Sequence, residues 1–194
     1  MEHWQYYLRG RVLEAVGKRV AAVAAYRDAL RRAPGFARAA NRAAYVLAGL
    51  ERLEEAEDLF RRALRSDPDN AVTHFNLAYT LDKRGRHEQA IESFREATRL
   101  RPGIDRAWYG MGLAQAALGR HAQAAAALEQ ATQLQPMNPH AWYALGMAYH
   151  ATGNTAKLHQ VVHHLLRFDP RMTRRLIRDS GADDLAHLVK DLVV

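Results

Sequence analysis

His159 and His163 stand four residues apart, with His164 beside them and His150 upstream. On a helix that spacing puts two imidazoles on one face, where they could hold Zn, Ni or Cu. The pair lacks company: the chain has no Cys and no HExxH, and the nearest acid, Asp169, lies past it. A competent site needs more ligands, so the histidines read as a solvent-facing or capping surface and no metal is expected. There is no GxxxxGK[ST], no GxSxG and no acid pair set apart in a cleft, so neither catalysis nor a cofactor is expected. Recognition chemistry remains. Residues 73–85, THFNLAYTLDKRG, hold a His, a Phe, an Asn and a Tyr within seven residues. Aromatic rings offer apolar contact, and an amide donates and accepts at once. Such a helix is core or binding surface, and the elements around it must decide which.

Those elements repeat. Pro34, Pro68, Pro102, Pro136 and Pro170 follow one another at 34-residue intervals. Aligned on them, other columns appear: Ala22, Ala56, Ala90, Ala124 and Leu158; Tyr26, Phe60, Phe94, Leu128 and Val162; Ala29, Ala63, Ala97, Ala131 and Leu165. Further upstream stand Gly17, Glu51, Gly85, Gly119 and Gly153, and before them Gly10, Ala44, Ala78, Gly112 and Gly146. Proline ends a helix, glycine supplies a turn, small residues let helices approach and larger ones fill the gap. The pattern predicts ten helices, near 3–16, 19–32, 36–49, 52–65, 70–84, 87–100, 104–118, 121–134, 138–152 and 155–168. No single helix pair buries its own apolar face, so stacked pairs share a core. Residues 173–194 leave the period. In DDLAHLVKDLVV the residues Leu185, Leu188, Val189, Leu192 and Val193 recur at helical spacing, behind Asp183 and Asp184. They predict a final helix covering the last repeat, with a partner-binding helix as the alternative.

This pattern resembles the tetratricopeptide-repeat family, over residues 3–172. The fullest copies are WYGMGLAQAALGRHAQAAAALEQATQLQP and WYALGMAYHATGN. Arg9, Glu51, Leu158, Val162 and Leu165 depart from the signature. The resemblance implies an all-α, right-handed α-solenoid of five helix-turn-helix units (3–36, 37–70, 71–104, 105–138 and 139–172), with 173–194 as a C-terminal capping helix segment. It also implies a concave groove lined by the first helix of each repeat. Carried over place by place, the groove residues are Trp4, Tyr7, Arg11, Arg38, Asn41, Arg42, Tyr45, Val72, Phe75, Asn76, Tyr79, Asp82, Arg106, Tyr109, Leu113, His140, Tyr143 and Met147. Leu8, Glu14, Lys83, Gly110, Ala144 and His150 occupy further places of the same kind. Spacing by three and four puts most of them on one helical stripe. Within 73–85, His74, Leu77, Ala78 and Leu81 then build the stack, while Phe75, Asn76, Tyr79 and Asp82 face the groove.

Tyr, Phe, Arg and Asn are residue types that anchor interfaces. The expected function is a protein-interaction scaffold or adaptor. Its partner segment would be extended or helical, partly acidic and partly apolar. The alternative is structural self-assembly through the terminal repeats or the last helix, so a homo-oligomer stays open. Some relatives hold a C-terminal carboxylate with a Lys, Asn, Asn, Lys, Arg clamp. The corresponding residues here are Asn41, Tyr45, Asn76, Arg106 and Gly110, and only Asn76 matches, so a heat-shock-chaperone tail is not expected.

Charge and composition narrow the partner. The chain has 194 residues, 48% hydrophobic and 25% charged, and a net charge of +7. By repeat the balance is +5, −1, +2, 0 and +2, so the basic excess sits in the first. An arginine series (Arg27, Arg31, Arg61, Arg65, Arg95 and Arg99) falls on second helices among Glu57, Asp58, Glu92 and Glu96. It reads as a solvated face with helix ion pairs. Most aromatics lie on the other helices, which ranks nucleic acid behind protein. No apolar run approaches the ~20 residues of a membrane span. MEHWQYYLRGR lacks an apolar signal core, so a cytoplasmic address is expected.

Overall fold

A computed structural model describes residues 2–190, all helix and turn. The helices are α1 (Glu2–Ala15), α2 (Arg19–Arg32), α3 (Ala37–Ala48), α4 (Leu53–Ser66), α5 (Ala71–Lys83), α6 (His87–Leu100), α7 (Asp105–Ala117), α8 (His121–Leu134), α9 (Pro139–Ala151), α10 (Thr155–Leu166) and α11 (Pro170–Ser180). A 3-10 helix follows at Asp183–Val189. The first ten match the expected spans to within two residues. They form two compact bodies, divided between Pro102 and Gly103. In the first, α1 packs on α2, α3 on α4 and α5 on α6, and α2–α3 and α4–α5 join these pairs. In the second, α7 packs on α8, α8 on α9, α9 on α10, and α11 on both α9 and α10.

The column residues build the core as their sizes require. Tyr26, Phe60, Phe94, Leu128 and Val162 are fully buried, as are Ala22, Ala56, Ala90 and Ala124 beside them. Close approach is tightest at Gly10, where an added Cβ would sit 2.5 Å from the Tyr26 ring.

Each helix-pair turn carries one left-handed residue, and the second repeat does this without glycine. Glu51 holds φ at +58°, close to the +72° of Gly85. Gly49 stays right-handed at −70°, so it does not substitute for the missing turn glycine. The turn hydrogen bond is the same in both: Arg52 N–H donates to the Leu47 carbonyl and Arg86 N–H to that of Leu81. Closure of that bond imposes the conformation on Glu51. Left-handed backbone costs a residue with a Cβ about 1–2 kcal/mol. Glu51→Gly is therefore expected to raise stability by about 1 kcal/mol in urea unfolding, allowing for the looser unfolded chain. The exposed Lys83 ion pair it forfeits is worth little. A fall in stability would show that the turn is unstrained.

The C-terminal expectation needs correction. The helix after the last repeat is α11, starting at Pro170, inside the expected fifth repeat. Asp169 caps it, its side chain accepting from Met172 N–H, and Gly181 ends it in the left-handed conformation. Pro170 opens a helix here, because α10 stops early at Leu166 and leaves the proline at a first-turn position, where no N–H is needed. Leu176 of α11 fills the space beside Gly146. Of the segment expected as a final helix, the described residues form a 3-10 helix at Asp183–Val189, with Leu185 and Val189 buried. Leu192 and Val193 lie outside the described residues.

Candidate functional site

In the first body, the first helices expose an aromatic row. Tyr45 on α3 is 53% exposed and Tyr79 on α5 is 50% exposed. Both line a groove of about 460 Å³ together with Glu14, Asn76 and Lys83. Trp4 and Val72 are also exposed. Cations accompany the rings: Arg38 lies 5.8 Å from the Trp4 centroid, Arg42 5.5 Å from Tyr45 and Lys83 5.6 Å from Tyr79. The ring quadrupole attracts each cation, by about 0.5–1 kcal/mol at an exposed site.

Not every carried-over residue is at the surface. Tyr7 is only 8% exposed. Its ring lies 5.8 Å from that of Tyr26 and 5.3 Å from that of Phe36, so it belongs to the core. The rings of Trp4, Tyr26 and Phe36 surround it, and Tyr7 completes that aromatic cluster. Phe75 is half-buried with its ring 6.1 Å from Phe94. Asn41 is half-buried, with its Oδ1 enclosed. Asp82 faces His87 at 2.9 Å.

Glu14, which lines the groove, anchors a polar network that the sequence reading did not assemble. The Tyr26 hydroxyl donates to Glu14 Oε2 at 2.7 Å, and Arg42 Nη2 donates to Glu14 Oε1 at 2.5 Å. Burial, then the Glu14 carboxylate, pushes the Tyr26 hydroxyl far above the usual tyrosine range, so it stays a donor. Arg42 is thereby committed to Glu14, and Lys83 to Glu51 at 2.8 Å. Arg11 and Arg38 remain exposed basic groups on this surface.

The second body has its own concavity, about 420 Å³, lined mostly by apolar side chains. Tyr109, Leu113, His140, Tyr143 and Met147 lie there with His150, as carried over from the repeat places. Arg106 is exposed on α7. Sequence reasoning missed the contribution of α11. Arg175 sits 4.7 Å over the Tyr143 ring, and the Tyr143 hydroxyl donates to Asp179 at 2.8 Å. The signal was present: Asp169, Pro170 and Gly181 spell a capped helix.

Burial, then Asp179, pushes the Tyr143 hydroxyl up, and that hydroxyl in turn holds the Asp179 carboxyl below its usual value. A depressed acid stabilises above its unfolded pKa, and the benefit goes as pH falls through the folded one. Protection of α11 amides, measured against their intrinsic exchange rates at each pH, is therefore expected to fall as pH drops below about 4. Asp179→Asn should remove that pH dependence.

Elsewhere the arginine series is largely paired. Arg27 meets Glu55 at 2.5 Å, Arg61 meets Glu57 at 3.0 Å, Arg99 meets Glu96 at 2.9 Å, and Arg31 pairs with Asp28. The histidines diverge: His159 faces Asp184 at 3.2 Å, whereas His164 stacks on Trp142 with centroids 4.0 Å apart. Among the described residues no helix is long and apolar enough to cross a membrane.

Comparison with known proteins agrees with this geometry. The family model described as the cilia and flagella-associated protein 70 middle TPR-like domain matches residues 49–168, and a tetratricopeptide-repeat model matches residues 7–71. No curated protein matches in sequence. Among solved structures, YrrB, described as a TPR protein with an unusual peptide-binding site, superposes with a TM-score of 0.81. It is 24% identical over 91% of this chain and 90% of that one. The MamA protein gives 0.79 at 17% identity, over 99% and 97%. PilF of Pseudomonas aeruginosa gives 0.73 at 23%, over 95% and 87%. At these identities the likeness is one of fold. With the 34-residue lattice, the paired helices and the matched models together, the chain belongs to the tetratricopeptide-repeat family.

Proposed function

We propose that the first body is a binding module that holds an extended partner segment across α1, α3 and α5. Tetratricopeptide-repeat domains are in general protein-interaction scaffolds. The observation that carries the finer reading is the pair Tyr45 and Tyr79, the same repeat place on neighbouring helices, both half-exposed in one groove. Packed helices lie about 8–10 Å apart. An extended chain advances about 3.3 Å per residue, so every third residue of a partner would meet one ring. That favours an extended segment over a helical one. Arg11 and Arg38 favour acidic residues toward the α1 end, through bidentate carboxylate bonds. YrrB, with its peptide-binding site, has the same fold.

The test is capture of partners from native lysate by the wild type and by the triple variant Arg38→Ala, Tyr45→Ala and Tyr79→Ala. All three side chains are exposed, so helicity should be unchanged. Capture should fall by at least about tenfold. Undiminished capture would contradict the reading. Phe75 is left intact because its contact with Phe94 would confuse binding with stability.

A further inference from the structure

α1 carries a second surface, on the side away from Tyr7 and Gly10. Leu8, Val12 and Val16 recur every four residues and are 57%, 64% and 62% exposed; Val20, past the turn, is 67% exposed. The repeat lattice shows what this surface corresponds to. The residues at the place of Val12 in other repeats include Val46, Thr80 and Ala148, and all three are buried. They lie on α3, α5 and α9, which pack against α2, α4 and α8, the second helix of the preceding repeat in each case. On α1 the equivalent seam is open among the described residues.

An outer face of a helical array is ordinarily polar. Gln5 and Arg9 follow that rule, but the valines and Leu8 do not. Exposed bases surround it: Arg9 and Lys18, with Arg11 and Arg19 at the border it shares with the groove. Residues 3–36 carry +5. Their two acids are occupied, Glu14 by Tyr26 and Arg42 and Asp28 by Arg31. We infer that this surface docks an amphipathic helix from another protein. That helix would have one apolar face and acidic flanks, and would sit where the second helix of a preceding repeat sits elsewhere in the chain. Symmetric pairing of two copies through this face would set like charges together, which opposes it.

Two peptides cut from this chain serve as probes, both carrying the apolar face of a second helix. Residues 51–70 have net charge −3, and residues 17–36 have +4. With the full-length protein, peptide 51–70 should bind with a Kd below about 1 mM, and at least about tenfold more tightly than peptide 17–36. Added salt should weaken it. The double variant Leu8→Gln and Val12→Gln touches only exposed side chains and should keep full helicity, yet lose binding by about tenfold. The groove triple variant should bind peptide 51–70 normally, which separates this surface from the groove. Four results would each overturn the inference. They are no binding of 51–70, equal binding of both peptides, binding indifferent to the double variant, or concentration-dependent dimerisation that the double variant abolishes. The last would assign the surface to a second copy.

Discussion

Glu57→Gln is expected to lower the stability of the folded chain by about 3 kcal/mol, because it removes the buried acid on which three arginines converge. Glu57 on α4 is 5% exposed. It pairs with Arg84, which is itself mostly enclosed, and accepts from Arg86 Nη1 at 3.0 Å and Arg61 Nε at 3.0 Å. The amide of Gln keeps the shape but loses the charge and half the acceptor capacity. Arg84 would then depend on Glu54 alone, at 3.1 Å from a largely exposed carboxylate. Breaking one side of a buried pair costs far more than the pair contributes net. The cluster ties α4 to the turn after α5, so the loss should appear as a lower urea midpoint and faster amide exchange in residues 84–90. Glu54→Gln, its solvent-exposed neighbour, should cost under about 1 kcal/mol. Similar losses at both positions would mean that burial is not the cause.

Gly10→Ala should destabilise by about 2 kcal/mol, the opposite sign to helix propensity, which favours Ala by about 1 kcal/mol. The added methyl would stand 2.5, 2.6 and 2.9 Å from three atoms of the Tyr26 ring. Tyr26 is wholly buried, and its hydroxyl is anchored to Glu14. The ring therefore cannot swing aside without breaking its hydrogen bond to Glu14. Tyr26→Ala alone should also destabilise, by removing ring and hydrogen bond. In its presence, with no side-chain atom left to meet the added methyl, Gly10→Ala should become nearly neutral. Additive losses in the double variant would show that the two residues do not clash.

The lattice made the first ten helices legible because prolines and turn glycines mark helix ends through local sterics, which need no tertiary information. It could not place α11. Pro170 follows four prolines that lie between helices, and only the early end of α10 turns it into a first-turn residue. Glu51 was visible as a departure from the glycine column. That the backbone keeps its left-handed turn without glycine is a tertiary outcome, since the closing bond from Arg52 to Leu47 outweighs local preference. The groove stripe was legible as spacing. Its charge was not, because neutralisation runs between repeats. Arg42 with Glu14, Arg27 with Glu55 and Lys157 with Glu129 are each 28 residues apart. That separation joins one repeat to a place six residues earlier in the next, and it could be read off the sequence. Tyr7 was misplaced because the stripe places a residue by angle alone, while a space beside Tyr26 and Phe36 drew its ring inward.

The claim that the first-helix surface of the first body holds a partner segment is tested most directly by photocrosslinking. Benzoylphenylalanine replaces Tyr79 in the groove in one protein and Arg95, exposed on α6, in another. Irradiation in native lysate should give discrete adducts from position 79 and few from position 95. Adding Arg38→Ala and Tyr45→Ala should abolish the position-79 adducts. Equal adducts from both positions, or adducts at 79 that survive those substitutions, would contradict it.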